Sequence, residues 1–193
     1  SKKTKLCFTM SLDQHHFILQ VYKSMHFRIL WDQPEPCPYR SNQVARLPLR
    51  LPLGTLSPLE FDRFLEEGDR RSGRMLYRTR CPECSACLPL RVPVSRFQPT
   101  KSQRRILRHN EEEVVVKVEK PALTRHHLNM YNRHKLERGL SPSGQELSAA
   151  NYRAWLVDSC VETREFQYFV GEKLVGVTIV DLGQRAASSV YHY

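Results

Sequence analysis

The chain has 193 residues, 40% of them apolar, which is enough for one ordinary domain or two small ones with a packed core, and excludes a disordered tail. Thirty Lys and Arg against twenty Asp and Glu leave a formal charge of +10, pointing to a polyanionic partner. The longest apolar stretches, such as Val114 to Val116 and Val177 to Val180, fall far short of the roughly 20 residues that span a bilayer, and Asp13, His15 and His16 interrupt what a secretory segment would need. Six cysteines are too sparse for a disulfide scaffold, so a reducing, cytoplasmic setting with no membrane partner is expected.

Residues 1 to 30 show weak periodicity and are read as an extension without assignable function. From Trp31 to Pro58 the chain carries six of its twelve prolines and reads as loop. A helix then starts at Ser57-Pro58-Leu59-Glu60, where an N-cap serine, a proline at the first helical position and a glutamate at the third make a capping box. Phe61, Phe64 and Leu65 supply its apolar spacing and Gly68 its stop. Between Arg70 and Arg108 stand eleven basic residues and one acid, Glu83, so this segment alone holds the whole +10. Ten of the eleven are Arg, which binds phosphate and carboxylate through a planar fork, and Tyr77 and Phe97 are interleaved with them. Nucleic-acid binding is the reading this favours over a merely solvated face.

Glu113 to Lys120 is valine-rich and reads as a strand. Pro121 to Arg138 follows as a helix with Leu123, His127, Met130, Tyr131 and His134 near one face and Gly139 as its stop; its histidines read as satisfied polar or core residues. Ser141 to Gly144 is a loop. A second helix is expected over Ser148 to Cys160 with Tyr152, Trp155, Leu156 and Cys160 on its buried side. Glu165 to Val170, Lys173 to Leu182 and Ala187 to Tyr193 read as three strands joined by short turns at Gly171-Glu172 and Gly183-Gln184-Arg185. The order strand, helix, helix, strand, strand, strand predicts an α+β fold with a mainly antiparallel sheet. Because the last strand closes the chain with nothing to cover the sheet's other side, a continuation beyond Tyr193 is expected.

Cys81, Cys84 and Cys87 form Cys-x-x-Cys-x-x-Cys, and Cys37 lies in the earlier loop. Metal ligation needs thiolates converging at about 2.3 Å from one ion, and these four are candidate ligands for zinc or an iron–sulfur cluster. Buried small side chains without metal, or a redox-sensitive thiol pair, are the alternatives. Cys7 and Cys160 read as bystanders.

Gly68-Asp69-Arg70-Arg71-Ser72-Gly73, Leu76-Tyr77-Arg78, Cys81 to Cys87, Leu88-Pro89-Leu90-Arg91-Val92, Phe97-Gln98-Pro99 and Ser102-Gln103-Arg104-Arg105 together resemble the aminoacyl-tRNA–protein transferases. Within them the chain most resembles the bacterial aspartate/glutamate leucyltransferases, relatives of eukaryotic arginyltransferase. The likeness covers Cys37 to Tyr193, including Val180-Asp181 and Ser188-Ser189-Val190-Tyr191. It implies transfer of leucine, or of arginine, from aminoacyl-tRNA to the α-amine of proteins beginning with Asp or Glu, marking them for degradation. It also implies a GNAT-like catalytic domain over 109 to 193 that is C-terminally incomplete, preceded by a Cys- and Arg-rich module over 31 to 108. Arg40 stands where eukaryotic members have a further cysteine, so their metal site is not carried over whole.

The chemistry requires no cofactor, since an activated ester is exchanged for a peptide bond. Arg70, Arg71, Arg74, Tyr77 and Arg78 are the expected readers of the acidic substrate side chain, with Gly73 allowing close approach. Arg91, Lys101, Arg104, Arg105 and Arg108 are expected on tRNA phosphates, and Asp181 is the candidate base. The alternative is a non-catalytic cysteine-metal module that binds nucleic acid.

Overall fold

A computed structural model describes residues 27–141 and 144–193; Cys7, most of the expected extension, and Pro142 and Ser143 of the expected loop lie outside them. The fold is α+β with antiparallel sheets, as the periodicity predicts. Strands β1 (Phe27–Trp31), β4 (Leu49–Pro52), β5 (Arg70–Ser72) and β6 (Met75–Tyr77) make a sheet in the order β1-β4-β6-β5. Short β2 (Pro34–Pro36) and β3 (Val44–Arg46) pair as a separate ribbon. The proline-rich stretch is therefore not wholly loop: an isolated two-stranded ribbon leaves edges free, where a missing N–H costs no ladder bond.

Helix α1 (Pro58–Glu66) begins at the predicted box, with Ser57 Oγ accepting from Glu60 N and Glu60 accepting from Ser57 N at 2.7 Å. Its buried Phe61 and Phe64 join Leu56, Leu76, Cys160 and Val161 in one core. A 3-10 turn (Val94–Arg96) precedes α2 (Lys101–Glu111), a helix absent from the predicted elements. Thr100 and Gln103 cap it reciprocally, and none of its residues is buried.

The second sheet takes β7 (Val114–Glu119), β8 (Thr163–Val170), β9 (Lys173–Leu182) and β10 (Ala187–His192) in the order β10-β9-β8-β7, all antiparallel. Helix α3 (Arg125–Glu137) is shorter at its start than predicted because Thr124, not Pro121, is its N-cap. Met130 and Tyr131 from α3 pack with Tyr152, Leu156, Val177, Ile179 and Tyr193 in a second core.

The predicted helix over 148 to 160 is corrected in two ways. Only α4 (Ala149–Tyr152) is α-helical; Arg153–Val157 form a wider π-turn, closed by the Asp158 N–H donating to the Arg153 carbonyl at 2.8 Å. The wider turn shifts the angular step, so Tyr152 and Leu156 stay buried while Trp155 is 47% exposed. Cys160 lies past the helix, in the core of the first sheet, where its carbonyl accepts from Leu56 N at 2.8 Å.

Further contacts join the two halves of the chain. Buried Asp62 on α1 accepts from the backbone N–H groups of Arg185 at 2.9 Å and Ala186 at 3.1 Å, in the β9–β10 turn. Among the described residues no helix is long and apolar enough to cross a membrane.

Candidate active site

The β5–β6 hairpin organises the basic motif. Strand alternation divides it into two faces, because directly paired residues share a side. Arg71 pairs with Leu76 and both are buried, whereas Arg70 pairs with Tyr77 on the opposite side. That second side, with the chain that follows, walls a recess of about 90 Å³ lined by Glu67, Gly68, Arg70, Tyr77, Arg78, Thr79, Cys87 and Pro89. Three of the five expected carboxylate readers thus converge. Glu67 steadies Arg78: the guanidinium Nη1 lies 2.8 Å from the Glu67 carboxylate and donates to its carbonyl at 3.1 Å. Arg78 Nε is buried without a hydrogen-bond partner, and Arg70 is exposed. Beneath the hairpin Arg50 pairs with buried Asp69 and lies over the Phe27 ring; burial pushes the Asp69 carboxyl up against the opposing pull of Arg50 and Arg78.

Arg71 and Asp181, both expected at the substrate, instead hold each other. Arg71 Nε donates to Asp181 Oδ2 at 2.7 Å, with 0% and 1% of the two side chains exposed. The other Asp181 oxygen accepts from Thr163 Oγ1 at 2.7 Å. Arg71 Nη1 reaches the carbonyls of Gly73 at 3.0 Å, Asp158 at 3.3 Å and Trp155 at 3.5 Å. Burial raises the Asp181 carboxyl above its ordinary range, opposed by Arg71 and Thr163. A carboxylate sealed in this way touches no substrate, so Asp181 is corrected from candidate base to tether between β9 and the hairpin. The close approach at Gly73 is likewise internal: at φ +58° it lies against the Ala154 carbonyl, which leaves no room for a Cβ. Arg74, one residue on, is exposed at the hairpin tip.

The cysteines do not form the thiolate set their spacing suggested. Among the described residues no three His, Cys, Asp or Glu side chains group as metal ligands, and Cys37, Cys81, Cys84 and Cys87 are free thiols, Cys87 exposed and the others half-buried. The Cys81 to Leu90 stretch has no regular secondary structure to turn three sulfurs onto one point. The residues present therefore do not fit a preformed zinc or cluster site, and Cys87 faces the recess instead.

The phosphate candidates separate into two groups. Arg91 donates to the carbonyl of Leu65 at 2.6 Å, capping the exposed carbonyl end of α1. Lys101, Arg104, Arg105 and Arg108 are exposed together on α2, and their spacing places them on one side of it, opposite Ile106 and Leu107.

His127 is a satisfied buried polar residue, as its place on the helix predicts, and Glu165 is the partner that the sequence does not mark. Thr124 Oγ1 meets His127 Nδ1 at 2.5 Å, His127 Nε2 meets Glu165 Oε1 at 2.9 Å, and Gln167 donates to the same oxygen at 2.6 Å. Glu165 is fully buried in β8, and nothing in the local strand pattern marks it as such. Although desolvation opposes ionisation, hydrogen bonds from His127 and Gln167 hold its carboxyl below the usual glutamate range. A folded-state value below the unfolded one adds stability above the unfolded pKa of about 4.3, and that contribution is lost as pH falls through the folded value. Acid unfolding monitored by circular dichroism should show this, with Glu165→Gln losing less stability than the parent between pH 5 and about 3.

Residues 35–105 match the family model described as arginine-tRNA-protein transferase, N terminus, and residues 126–193 match that of its C terminus. The aspartate/glutamate leucyltransferase of Shewanella sp. (strain ANA-3) is 32% identical over 162 residues, which are 82% of this chain and 65% of that relative. That of Shewanella oneidensis is 34% identical over 158 residues, again 82% and 65%. The same-named protein of Pseudomonas syringae pv. syringae (strain B728a) is 31% identical over 161 residues, 83% of this chain and 68% of its own. The chain thus spans about two thirds of the length of the relatives it matches.

Proposed function

The chain belongs to the arginine-tRNA-protein transferase family, and from that premise we propose that it transfers an aminoacyl group, leucine in preference to arginine, from aminoacyl-tRNA to the α-amine of proteins beginning with Asp or Glu. The observation that carries the acceptor side is the recess in which Arg70, Tyr77 and Arg78 meet. Two guanidinium groups beside a phenol suit a carboxylate ligand through charge-assisted hydrogen bonds. Glu67 offsets part of that charge, and it also holds Arg78 in place.

The neutral α-amine attacks the ester carbonyl of the aminoacyl-tRNA. A C–N bond forms, the C–O bond to the terminal ribose breaks, and the amine proton passes to the departing hydroxyl. An α-amine with a pKa of about 7.7 to 8.0 is already partly neutral at pH 7, so positioning the two reactants is the main task. No metal, nucleotide or side-chain base enters this account. We assign 109 to 193 to the GNAT-like transferase part, 31 to 108 to the acceptor-reading module and α2 with Lys101, Arg104, Arg105 and Arg108 to tRNA phosphates. The setting is the cytoplasm, and the product is a protein marked for degradation. The non-catalytic metal module is the less favoured reading, since both matching family models are those of a transferase.

Incubation with labelled leucyl-tRNA or arginyl-tRNA and peptides beginning with Asp, Glu or Ala tests this reading. Transfer confined to the acidic peptides is expected, with leucine the better donor. Arg70→Ala and Arg78→Ala should each lower transfer to the acidic peptides at least tenfold. Equal rates for the parent and both variants remove the recess from the acceptor site, and transfer to none of the peptides overturns the enzyme reading.

A further inference from the structure

We propose that Glu67 receives the α-amine of the acceptor, so that the recess reads both charged ends of an amino-terminal Asp or Glu and not its side chain alone. The inference rests on the acceptor reading of the recess and deepens it. Among the described residues that line the recess Glu67 is the one acid, set against Arg70 and Arg78. Its carboxylate lies 2.8 Å from Arg78 Nη1, and its side chain is 33% exposed. A carboxylate has about four acceptor positions, so one that meets a guanidinium can also take an ammonium.

The place of Glu67 in the fold favours a cation there. It is the C-cap of α1, where a helix ends with its last carbonyls outward and a partial negative charge. Two arginines already answer that charge: Arg91 donates to the Leu65 carbonyl at 2.6 Å and Arg78 to that of Glu67 at 3.1 Å. Positive and negative groups side by side suit a ligand that carries both charges a few bonds apart, as an amino-terminal acidic residue does in its ammonium and its carboxylate. An Asp or Glu inside a chain has an amide in place of the amine and offers Glu67 no cation.

Size adds to the selection. At about 90 Å³ the recess is smaller than the roughly 150 Å³ cavity that takes one benzene ring, so it holds one short side chain. Its wall is closely packed, since a Cβ on Gly68 would come within 3.3 Å of Pro89.

The amine must be neutral when it attacks the ester, and a neighbouring carboxylate stabilises its ammonium form. Arg70 and Arg78 act in the opposite sense, and Tyr77 and Cys87 are the other titratable groups of the lining. Removing the Glu67 charge should therefore move the half-rise of transfer to lower pH than in the parent, the amine giving its proton to solvent in both.

Calorimetric titration of the protein with two peptides, without tRNA and at about pH 6.5, tests the assignment. One peptide begins with Asp; in the other a succinyl group replaces that residue, keeping the carboxylate and losing only the amine. The parent should bind the Asp peptide about tenfold more tightly. Glu67→Gln should bind the two peptides within about twofold of each other, with the succinyl peptide held no worse than by the parent. In the parent alone the preference should shrink toward about pH 9, as an amine with a pKa of about 7.7 to 8.0 loses its charge, and this arm does not depend on the variant folding. Equal affinity of the parent for both peptides, a preference that does not change with pH, or an equal loss of both peptides in Glu67→Gln overturns the inference and leaves the carboxylate recess standing. Binding of neither peptide removes the recess from the acceptor site and the inference with it, and the transfer assay then decides the enzyme reading separately.

Discussion

Arg71→Ala is expected to cost about 3 to 5 kcal/mol of folding stability, the range for removing one partner of a buried ion pair. The expectation follows from burial, since neither side chain has access to water and the Asp181 carboxylate would keep only Thr163 as a side-chain donor. Asp181→Ala should be similarly damaging, because it leaves a guanidinium in the core with backbone carbonyls as its remaining partners. Removing both charges together, as Arg71→Met with Asp181→Leu, should cost clearly less than the two single changes added, since neither side is then left charged and alone. Urea denaturation of the four proteins measures this. Additive losses would show that the pair contributes through packing and not through its charges.

Gly73→Ala is expected to destabilise by about 2 to 4 kcal/mol. Two effects combine: a left-handed backbone costs a non-glycine residue roughly 1 to 2 kcal/mol, and the new Cβ meets the Ala154 carbonyl, which is backbone and cannot swing aside. Gly139→Ala separates them. Gly139 has nearly the same φ, +64° against +58°, with nothing within 4 Å of a Cβ. It should lose only the conformational part, about 1 to 2 kcal/mol. Equal losses at the two sites, read from thermal denaturation, would mean that the hairpin tip has room to lift off the π-turn.

What could be read from the sequence follows the range of the interactions. The capping box at Ser57 and the three C-terminal strands depend on neighbours a few residues apart, and the structure has them where the residues predict. Helix α2 has the same kind of signature in Thr100 and Gln103, but none of its residues is buried, so no apolar face marks a helical period. Trp155 could not be placed from α-helical spacing, since a single π-turn changes the angular step. The Arg71–Asp181 pair spans 110 positions, and nothing local in either segment announces it. The candidate site divides along the same line. Arg70 and Tyr77 share one face of a hairpin, and Arg78 follows directly in the chain. The cysteine spacing, by contrast, says nothing about whether the backbone turns the sulfurs inward.

The bonds from Asp62 to the β9–β10 turn bear on how the chain assembles. They join residues 123 and 124 positions apart, and Cys160 and Val161 complete a core begun at Leu56 and Phe61. On a ribosome, the first sheet therefore waits for the last third of the chain before its apolar face closes. Such long-range closure is slow, and it leaves Phe61, Phe64 and Leu76 open to wrong partners in the meantime. The hairpin that carries the recess is fastened in the same long-range way, since Arg71 bonds the Trp155 and Asp158 carbonyls and Gly73 packs on Ala154, more than 80 positions away.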